Sequence, residues 1–259
     1  MKVVLFCGGL GTRLRENSST IPKPLVNIGY RPIIWHLMRY YAHFGHNEFI
    51  LCLGYRGDLI REYFLNYDET LSNDFTLDLI DKNINLHSID ECKSWKITFV
   101  ETGLHSNLGQ RLMRVREQVR DDEVFLANYS DGLSDLPLDV MIKDFESKNV
   151  VASFAAFRSW QSFHAASFTS DGYVTSLGKL GDKDFWINGG FFIFRREIFD
   201  HIGEGEELVE EPFARLIEQR RVAAYPYSGF WRAMDTFKDK IGFDRAYAQG
   251  NAPWEIWKR

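Results

Sequence analysis

Short apolar runs alternate with segments of helical hydrophobic spacing along most of the chain. Each run is typical of a buried strand, and apolar residues three and four positions apart are typical of a helix packed on one face. The predicted strands are 3–6, 49–53, 96–100, 124–127, 150–157 and 191–194, and the predicted helices are 33–44, 59–66, 112–119, 138–147 and 212–219. Such alternation favours βαβ units, so we predict an α/β protein with a mostly parallel sheet.

Two segments depart from this alternation. Residues 71–94 are polar with a weak period of two at 75–79, which fits either an inserted β-hairpin or a flexible flap. The C-terminal segment 241–259 contains Trp254 and Trp257 and packs either on its own domain or at a subunit interface. We therefore predict one domain over residues 1–240, with an insertion at about 71–94 and a C-terminal extension.

Composition narrows the function classes. The chain has 259 residues, is 45% hydrophobic and carries a net charge of −5, so a packed core is expected and a general nucleic-acid binder is not. No apolar stretch approaches a membrane span, and the N-terminus lacks a signal-peptide pattern, so we expect a cytoplasmic protein without a membrane partner. Three cysteines without C-x-x-C spacing suggest neither a disulfide framework nor a zinc site.

A glycine-rich turn, Gly8-Gly9-Leu10-Gly11-Thr12-Arg13, follows the first predicted strand. Glycines let backbone N–H groups approach an anion without interference from Cβ, and Arg13 adds positive charge. The pattern matches neither the Walker loop nor the G-x-G-x-x-G fingerprint. A polyphosphate loop and a plain strand-to-helix turn both remain open.

Lys23 lies between Pro22 and Pro24. The prolines hold this lysine in a stiff, extended segment. It is either a second cation for the same polyphosphate or an ordinary solvated lysine.

Two aspartates are candidates for the acidic part of a site. Asp131 follows a predicted strand, and ligands of open α/β sheets bind beyond the carboxyl ends of strands. With Gly132, however, Asp131 also fits a simple turn. Asp235 is either a ligand-binding carboxylate or the N-cap of a following helix.

The segments Gly8 to Leu14 and Pro22 to Val26 together resemble the signature of sugar-1-phosphate nucleotidyltransferases. The continuation Ile28 to His36 is most similar to the glucose-1-phosphate cytidylyltransferase branch of that family. The likeness recurs at 53–57, 62–64, 129–132, 187–192 and 229–236. It implies a Rossmann-like nucleotidyltransferase fold, with a mostly parallel mixed sheet flanked by helices. The aromatic C-terminal segment separately favours a homo-oligomer.

The resemblance implies nucleotidyl transfer from an NTP, with CTP favoured, to a sugar 1-phosphate such as glucose 1-phosphate. The products would be an NDP-sugar and pyrophosphate. Two alternatives stay open. One is the same fold with another NTP or sugar-phosphate specificity, and the other is a catalytically silent sensor that binds nucleotide sugars.

The resemblance also assigns roles to residues. Arg13, Lys23 and Asp131 are the implied catalytic residues, and Asp131 and Asp235 the implied ligands of Mg²⁺. The implied nucleotide-binding residues are Phe6, Gly8, Gly9, Gly11, Thr12, Arg13, Ser106, Arg111 and Ser130. The implied sugar-phosphate-binding residues are Lys23, His164, Lys179, Asn188 and Gly189.

This chain departs from the family pattern at four places. Leu108-Gly109-Gln110-Arg111 stands where the cytidylyl branch usually has Thr-Gly-Gly-Arg, and Ser130 replaces a glycine. Gly178-Lys179-Leu180 replaces Glu-Lys-Pro, and His164 replaces a glycine of the sugar pocket. These changes weaken the glucose assignment more than the nucleotidyl-transfer assignment.

Overall fold

The computed structural model describes residues 1–9, 21–87, 94–158, 164–179 and 185–258, with His164, Ala165 and Lys179 described by backbone only. The strands are β1 (Val3–Phe6), β2 (Asn27–Ile28), β3 (Arg31–Pro32), β4 (Glu48–Leu53), β5 (Phe75–Leu77), β6 (Ile84–Leu86), β7 (Lys96–Glu101), β8 (Val124–Tyr129), β9 (Gly132–Ser134), β10 (Ala152–Arg158), β11 (His164–Phe168), β12 (Val174–Lys179), β13 (Trp186–Asn188), β14 (Phe192–Arg195), β15 (Val222–Tyr227) and β16 (Trp231–Ala233).

The α-helices lie between these strands and after the last of them. They are α1 (Ile33–His43), α2 (Gly57–Leu65), α3 (Leu108–Arg114), α4 (Leu138–Glu146), α5 (Glu211–Glu218) and α6 (Phe237–Ala248). Short 3₁₀ helices lie at Lys23–Leu25, Glu69–Leu71, Arg116–Val119, Arg196–Asp200 and Ile256–Lys258.

The central sheet has β1 in its middle, with β4 and then β7 on one side and β8 on the other. On the far side of β8 the order is β14, β10 and β15. β13 also pairs with β10, next to the part of β10 that pairs with β14. Among the described strands of this sheet, β13 and β14 run opposite to the other six. The predicted α/β class with a mostly parallel mixed sheet is therefore confirmed.

Strand β1 shows why the sequence pattern was readable. Val3 and Leu5 pack in one apolar cluster with residues of α1, α2, α4 and α6, while Val4 and Phe6 pack in another with residues of α3 and α5. Successive side chains of a strand point to opposite faces, so β1 is covered by helices on both. A strand buried on both faces reads as one continuous apolar run.

Two elements differ from their predicted form. The helix predicted at 112–119 begins earlier, at Leu108, ends at Arg114 and is followed by a 3₁₀ turn. Asn107 starts it through a capping box with Gln110, a signal that precedes the apolar spacing. The sequence pattern also missed β15, which contains Pro226. A proline is tolerated there because β15 pairs with β10 alone and forms a sheet edge.

The segment 71–94 contains a hairpin in which Phe75 to Leu77 pair with Ile84 to Leu86. At the C-terminus, Trp254 is buried against Phe230 and Phe243. Its indole N–H donates to Nδ1 of His36 at 3.4 Å. Among the described residues, no helix is both long and apolar enough to cross a membrane.

Candidate functional site

A cavity of about 440 Å³ opens at the carboxyl edge of the sheet. Strands β1 and β8 are parallel neighbours with Phe6 opposite Tyr129, so the turns after them meet at one edge. Its lining includes nine residues named from the sequence: Phe6, Gly8, Gly9, Lys23, Ser106, Arg111, Ser130, Asp131 and Asp235. Gly11, Thr12 and Arg13 lie outside the described residues.

A small β-ladder brings the two aspartates together. β9 pairs antiparallel with β16, with Gly132 opposite Ala233. The N–H of Met234 donates to the carbonyl of Asp131 at 2.8 Å, which extends the ladder to the aspartates. The cap of α6 is Thr236, whose side chain accepts from the N–H of Asp239. The carboxylate of Asp235 is therefore not the helix cap and is directed to the cavity.

Lys23 joins the two carboxylates. Its Nζ lies 2.5 Å from Oδ2 of Asp131 and 2.7 Å from Oδ1 of Asp235. Both oxygens thus converge on a single point. Burial by itself lowers the pKa of Lys23, but the two carboxylates more than offset it, and the pKa is raised. Lys23 is therefore a charged ammonium at neutral pH.

The proline bracket positions this lysine. Pro22 has φ −67° and ψ 146°, and its carbonyl accepts from the N–H of Leu25 at 2.8 Å, which starts a 3₁₀ turn. Pro24 is buried, so the turn is anchored and only 16% of the Lys23 side chain is exposed. The interpretation of Lys23 as an ordinary solvated lysine is therefore wrong.

Arg111 lines the cavity, and its guanidinium hydrogen-bonds to other groups of the protein. Nη1 donates to Oγ1 of Thr102 at 2.7 Å and to the carbonyl of Leu53 at 3.3 Å, and Nη2 donates to the carbonyl of Gly8 at 3.1 Å. A Cβ on Gly8 would lie 1.9 Å from Nη1. Gly8 is thus required by the close approach of Arg111, which holds the Gly8 carbonyl at the start of the glycine-rich segment.

The side chains of Ser130 and Ser106 both hydrogen-bond to backbone carbonyls. Oγ of Ser130 donates to the carbonyl of Phe6 at 2.7 Å and ties the ends of β8 and β1 together. Oγ of Ser106 donates to the carbonyl of Thr102 at 2.5 Å. Cys7 lies beside Ser130, and burial raises its pKa to about 12, so its thiol is protonated at neutral pH. Contacts from either serine to a nucleotide stay predictions.

Of the residues named for the sugar phosphate, Lys23 lines this cavity and Asn188 lies next to it. Asn188 accepts from the N–H of Gly190 at 2.9 Å and also hydrogen-bonds Tyr129, which lines the cavity. A Cβ on Gly189 would lie 2.2 Å from the ring of Phe157, so the chain has room only for glycine there. His164 and Lys179 are paired across the β11–β12 hairpin by their backbones. Their side chains lie outside the described part of the structure.

Six lining residues were not assigned to the site from the sequence: Cys7, Pro24, Asn107, Leu108, Tyr129 and Glu207. The capping box at Asn107 was a readable signal. No local sequence signal pointed to Glu207. Its Oε2 accepts from the N–H of Leu108 at 3.3 Å, and the two residues lie about a hundred positions apart in the chain.

Comparison with known proteins places this geometry in context. The nucleotidyl transferase family model matches residues 2–241. The chain is 37% identical over 259 residues to the "Probable glucose-1-phosphate cytidylyltransferase" of Bacillus subtilis (strain 168), covering 99% of this chain and 100% of that protein. It is 38% identical over 260 residues to the glucose-1-phosphate cytidylyltransferase of Salmonella typhimurium, covering all of both.

Solved structures share the fold. UDP-glucose pyrophosphorylase complexed with UDP-glucose superimposes with a TM-score of 0.67 at 16% identity, covering 96% of this chain and 98% of that one. HddC from Yersinia pseudotuberculosis superimposes with a TM-score of 0.65 at 19% identity, covering 95% of this chain and 99% of that one. At such identities the likeness concerns the fold alone, and it confirms the expected Rossmann-like nucleotidyltransferase architecture.

Proposed function

The chain belongs to the nucleotidyl transferase family, and from that premise we propose that it is a sugar-1-phosphate nucleotidyltransferase. The favoured reaction transfers the cytidylyl group of CTP to glucose 1-phosphate and yields CDP-glucose and pyrophosphate. The observation that carries this proposal is the convergence of Lys23, Asp131 and Asp235 on one point of the cavity. A homo-oligomeric state and a cytoplasmic location stay predictions.

The chemistry requires positioning more than acid–base catalysis. A phosphate oxygen of the sugar 1-phosphate, already anionic at neutral pH, attacks the α-phosphorus of the nucleotide. A new oxygen–phosphorus bond forms, the bond from the α-phosphorus to the bridging oxygen of the β-phosphate breaks, and pyrophosphate departs with the electron pair. The barrier is lowered mainly by alignment and by neutralising the crowded negative charge.

The chain's own groups fit those two tasks. The backbone at Gly8 and Gly9 borders the cavity and offers N–H groups to the triphosphate. The ammonium of Lys23, largely enclosed and permanently charged, offsets negative charge where the two substrates meet. Arg111 holds the carbonyl of Gly8, so this residue is positioned before substrate arrives.

The donor set also fits a magnesium ion. Mg²⁺ takes one or two protein carboxylates and completes its octahedron with phosphate oxygens and water. Asp131 and Asp235 present two carboxylate oxygens to a common point, where Nζ of Lys23 lies in this structure, so an ion bound by both carboxylates would take the place of that ammonium. Asp131 and Asp235 would hold the ion, which supplies charge neutralisation at the α-phosphate when bound.

A substrate matrix tests the proposal. The protein is incubated with Mg²⁺, each of CTP, UTP, GTP and ATP, and a panel of hexose 1-phosphates, and pyrophosphate release is measured. We expect release with CTP and glucose 1-phosphate. If no combination releases pyrophosphate while CDP-glucose still binds in equilibrium measurements, the protein is a nucleotide-sugar sensor and the proposal is wrong.

A further inference from the structure

We propose that Glu207 selects the base of the nucleotide, with its carboxylate accepting a hydrogen bond from the exocyclic 4-amino group of cytosine. The inference rests on the proposed function and gives its preference for CTP a structural cause. Glu207 has no role in the resemblance described above, and it lines the same cavity as the catalytic candidates.

The cavity has two chemically different regions. One contains Lys23 with its two carboxylate partners. The other is bordered by the turn before α3 and by Glu207, whose Oε2 accepts from the N–H of Leu108 at 3.3 Å. Tyr129 lies between them: its pKa is raised to about 12, first by burial and then by the negative charges of Glu207 and Asp131.

The carboxylate of Glu207 is incompletely hydrogen-bonded within the described structure. Oε1 is buried and has no hydrogen-bond partner within the parts of the chain that the structure describes. A buried acceptor without a partner is costly, and such groups in native proteins call for a ligand or a water. The carboxylate therefore has unused acceptor capacity, because Oε2 accepts from the N–H of Leu108 and Oε1 has no partner among the described residues.

The position of Glu207 is held by close packing. The carbonyl of the preceding residue, Glu206, would lie 2.3 Å from a Cβ on Gly109, so this segment touches the backbone of α3. Leu208 is fully buried in the core, and the N–H of Glu207 donates to Oε2 of Glu211 at 3.1 Å. The carboxylate is therefore presented by a braced segment, which is what discrimination between similar ligands needs.

Charge decides which part of the nucleotide Glu207 faces. A carboxylate only accepts hydrogen bonds, so it repels the triphosphate and attracts a donor on the base. Cytosine carries an amino donor where uracil carries a carbonyl acceptor, and a glutamate is a natural partner for that amino group. Opposite uracil, the oxygens of base and carboxylate would face each other unpaired. The geometry thus favours CTP over UTP.

The test compares Glu207→Gln and Glu207→Ala with a control, Glu210→Gln, which removes one negative charge from an exposed residue three positions along. For each variant, kcat/KM is measured for CTP and UTP with the same sugar 1-phosphate. Equilibrium affinities for both nucleotides are measured without sugar phosphate. We expect the CTP-to-UTP ratio to fall about tenfold or more in both Glu207 variants, in kcat/KM and in affinity. The control should keep the wild-type ratio.

The failures are distinguishable. If wild-type protein uses CTP but the Glu207 variants keep its ratio, or lose CTP and UTP equally, the inference is wrong and the proposed function stands. If wild-type protein does not turn over CTP, both are wrong. Far-ultraviolet circular dichroism and thermal unfolding verify that each variant is folded before its ratio is compared.

Discussion

Replacing Gly8 by alanine is predicted to damage the site through Arg111. The new Cβ would lie 1.9 Å from Nη1 and 2.3 Å from Cζ of Arg111, so the guanidinium must move by more than 1 Å. It cannot move freely, because Arg111 is only 5% exposed and donates to Thr102, Leu53 and Gly8 itself. Gly8→Ala therefore disrupts a buried, charged hydrogen-bond network.

The magnitude follows from those contacts. Hydrogen bonds to charged groups contribute about 1.5–3 kcal/mol each, and a displaced guanidinium loses one or two of them, so we expect a loss of about 2–4 kcal/mol in the free energy of unfolding. For a chain of this size that corresponds to a fall of roughly 5–15 °C in Tm. Gly9→Ala is the matched control, since no described atom lies within 4 Å of a Cβ there. Its stability should change by less than about 0.5 kcal/mol.

Urea and thermal unfolding of both variants supply the measurement, and a double-mutant cycle assigns the cause. In an Arg111→Met background the Gly8→Ala substitution should cost much less, because the clashing group is gone. If Gly8→Ala is as stable as Gly9→Ala, or if its cost is unchanged without Arg111, the bracing role of Arg111 is refuted.

Three further outcomes are expected. Asp131→Asn should lower kcat by about 10²–10³. The free energy of unfolding should fall by less than about 2 kcal/mol, because Lys23 retains its ion pair with Asp235. Unchanged turnover in the pyrophosphate assay would contradict the role of Asp131. Burial lowers the pKa of His36 from 6.5 to about 4. Between these two pH values the unfolded chain binds the proton more readily, so the free energy of unfolding falls as the pH drops. The expected loss between pH 7 and pH 5 is about 2 kcal/mol. Urea titrations should show that His36→Gln loses this contribution, and an identical pH dependence would argue against it. His164→Gly should change the sugar 1-phosphate preference, and an identical profile across the panel would remove His164 from the sugar site.

Local patterns carried most of what the sequence predicted. The apolar runs at β1, β4 and β8 were sufficient to predict these strands. A short continuous apolar run is typical of a strand in a sheet that is covered by helices on both faces. The basic motifs at Gly8 and Lys23 were recognisable because glycine and proline act on the backbone where they stand.

Tertiary structure decided how distant groups meet. The β9–β16 ladder brings Asp235 beside Asp131, and no local pattern reports a pairing between three-residue strands that far apart. Arg111 lines the cavity, and folding brings its guanidinium to carbonyls of three separate segments, whereas its contact with a nucleotide stays a prediction. Glu207 reaches the cavity only through packing against α3. Sequence determines which groups are available at each strand end, whereas the burial and partners of those groups depend on segments that become neighbours only after folding.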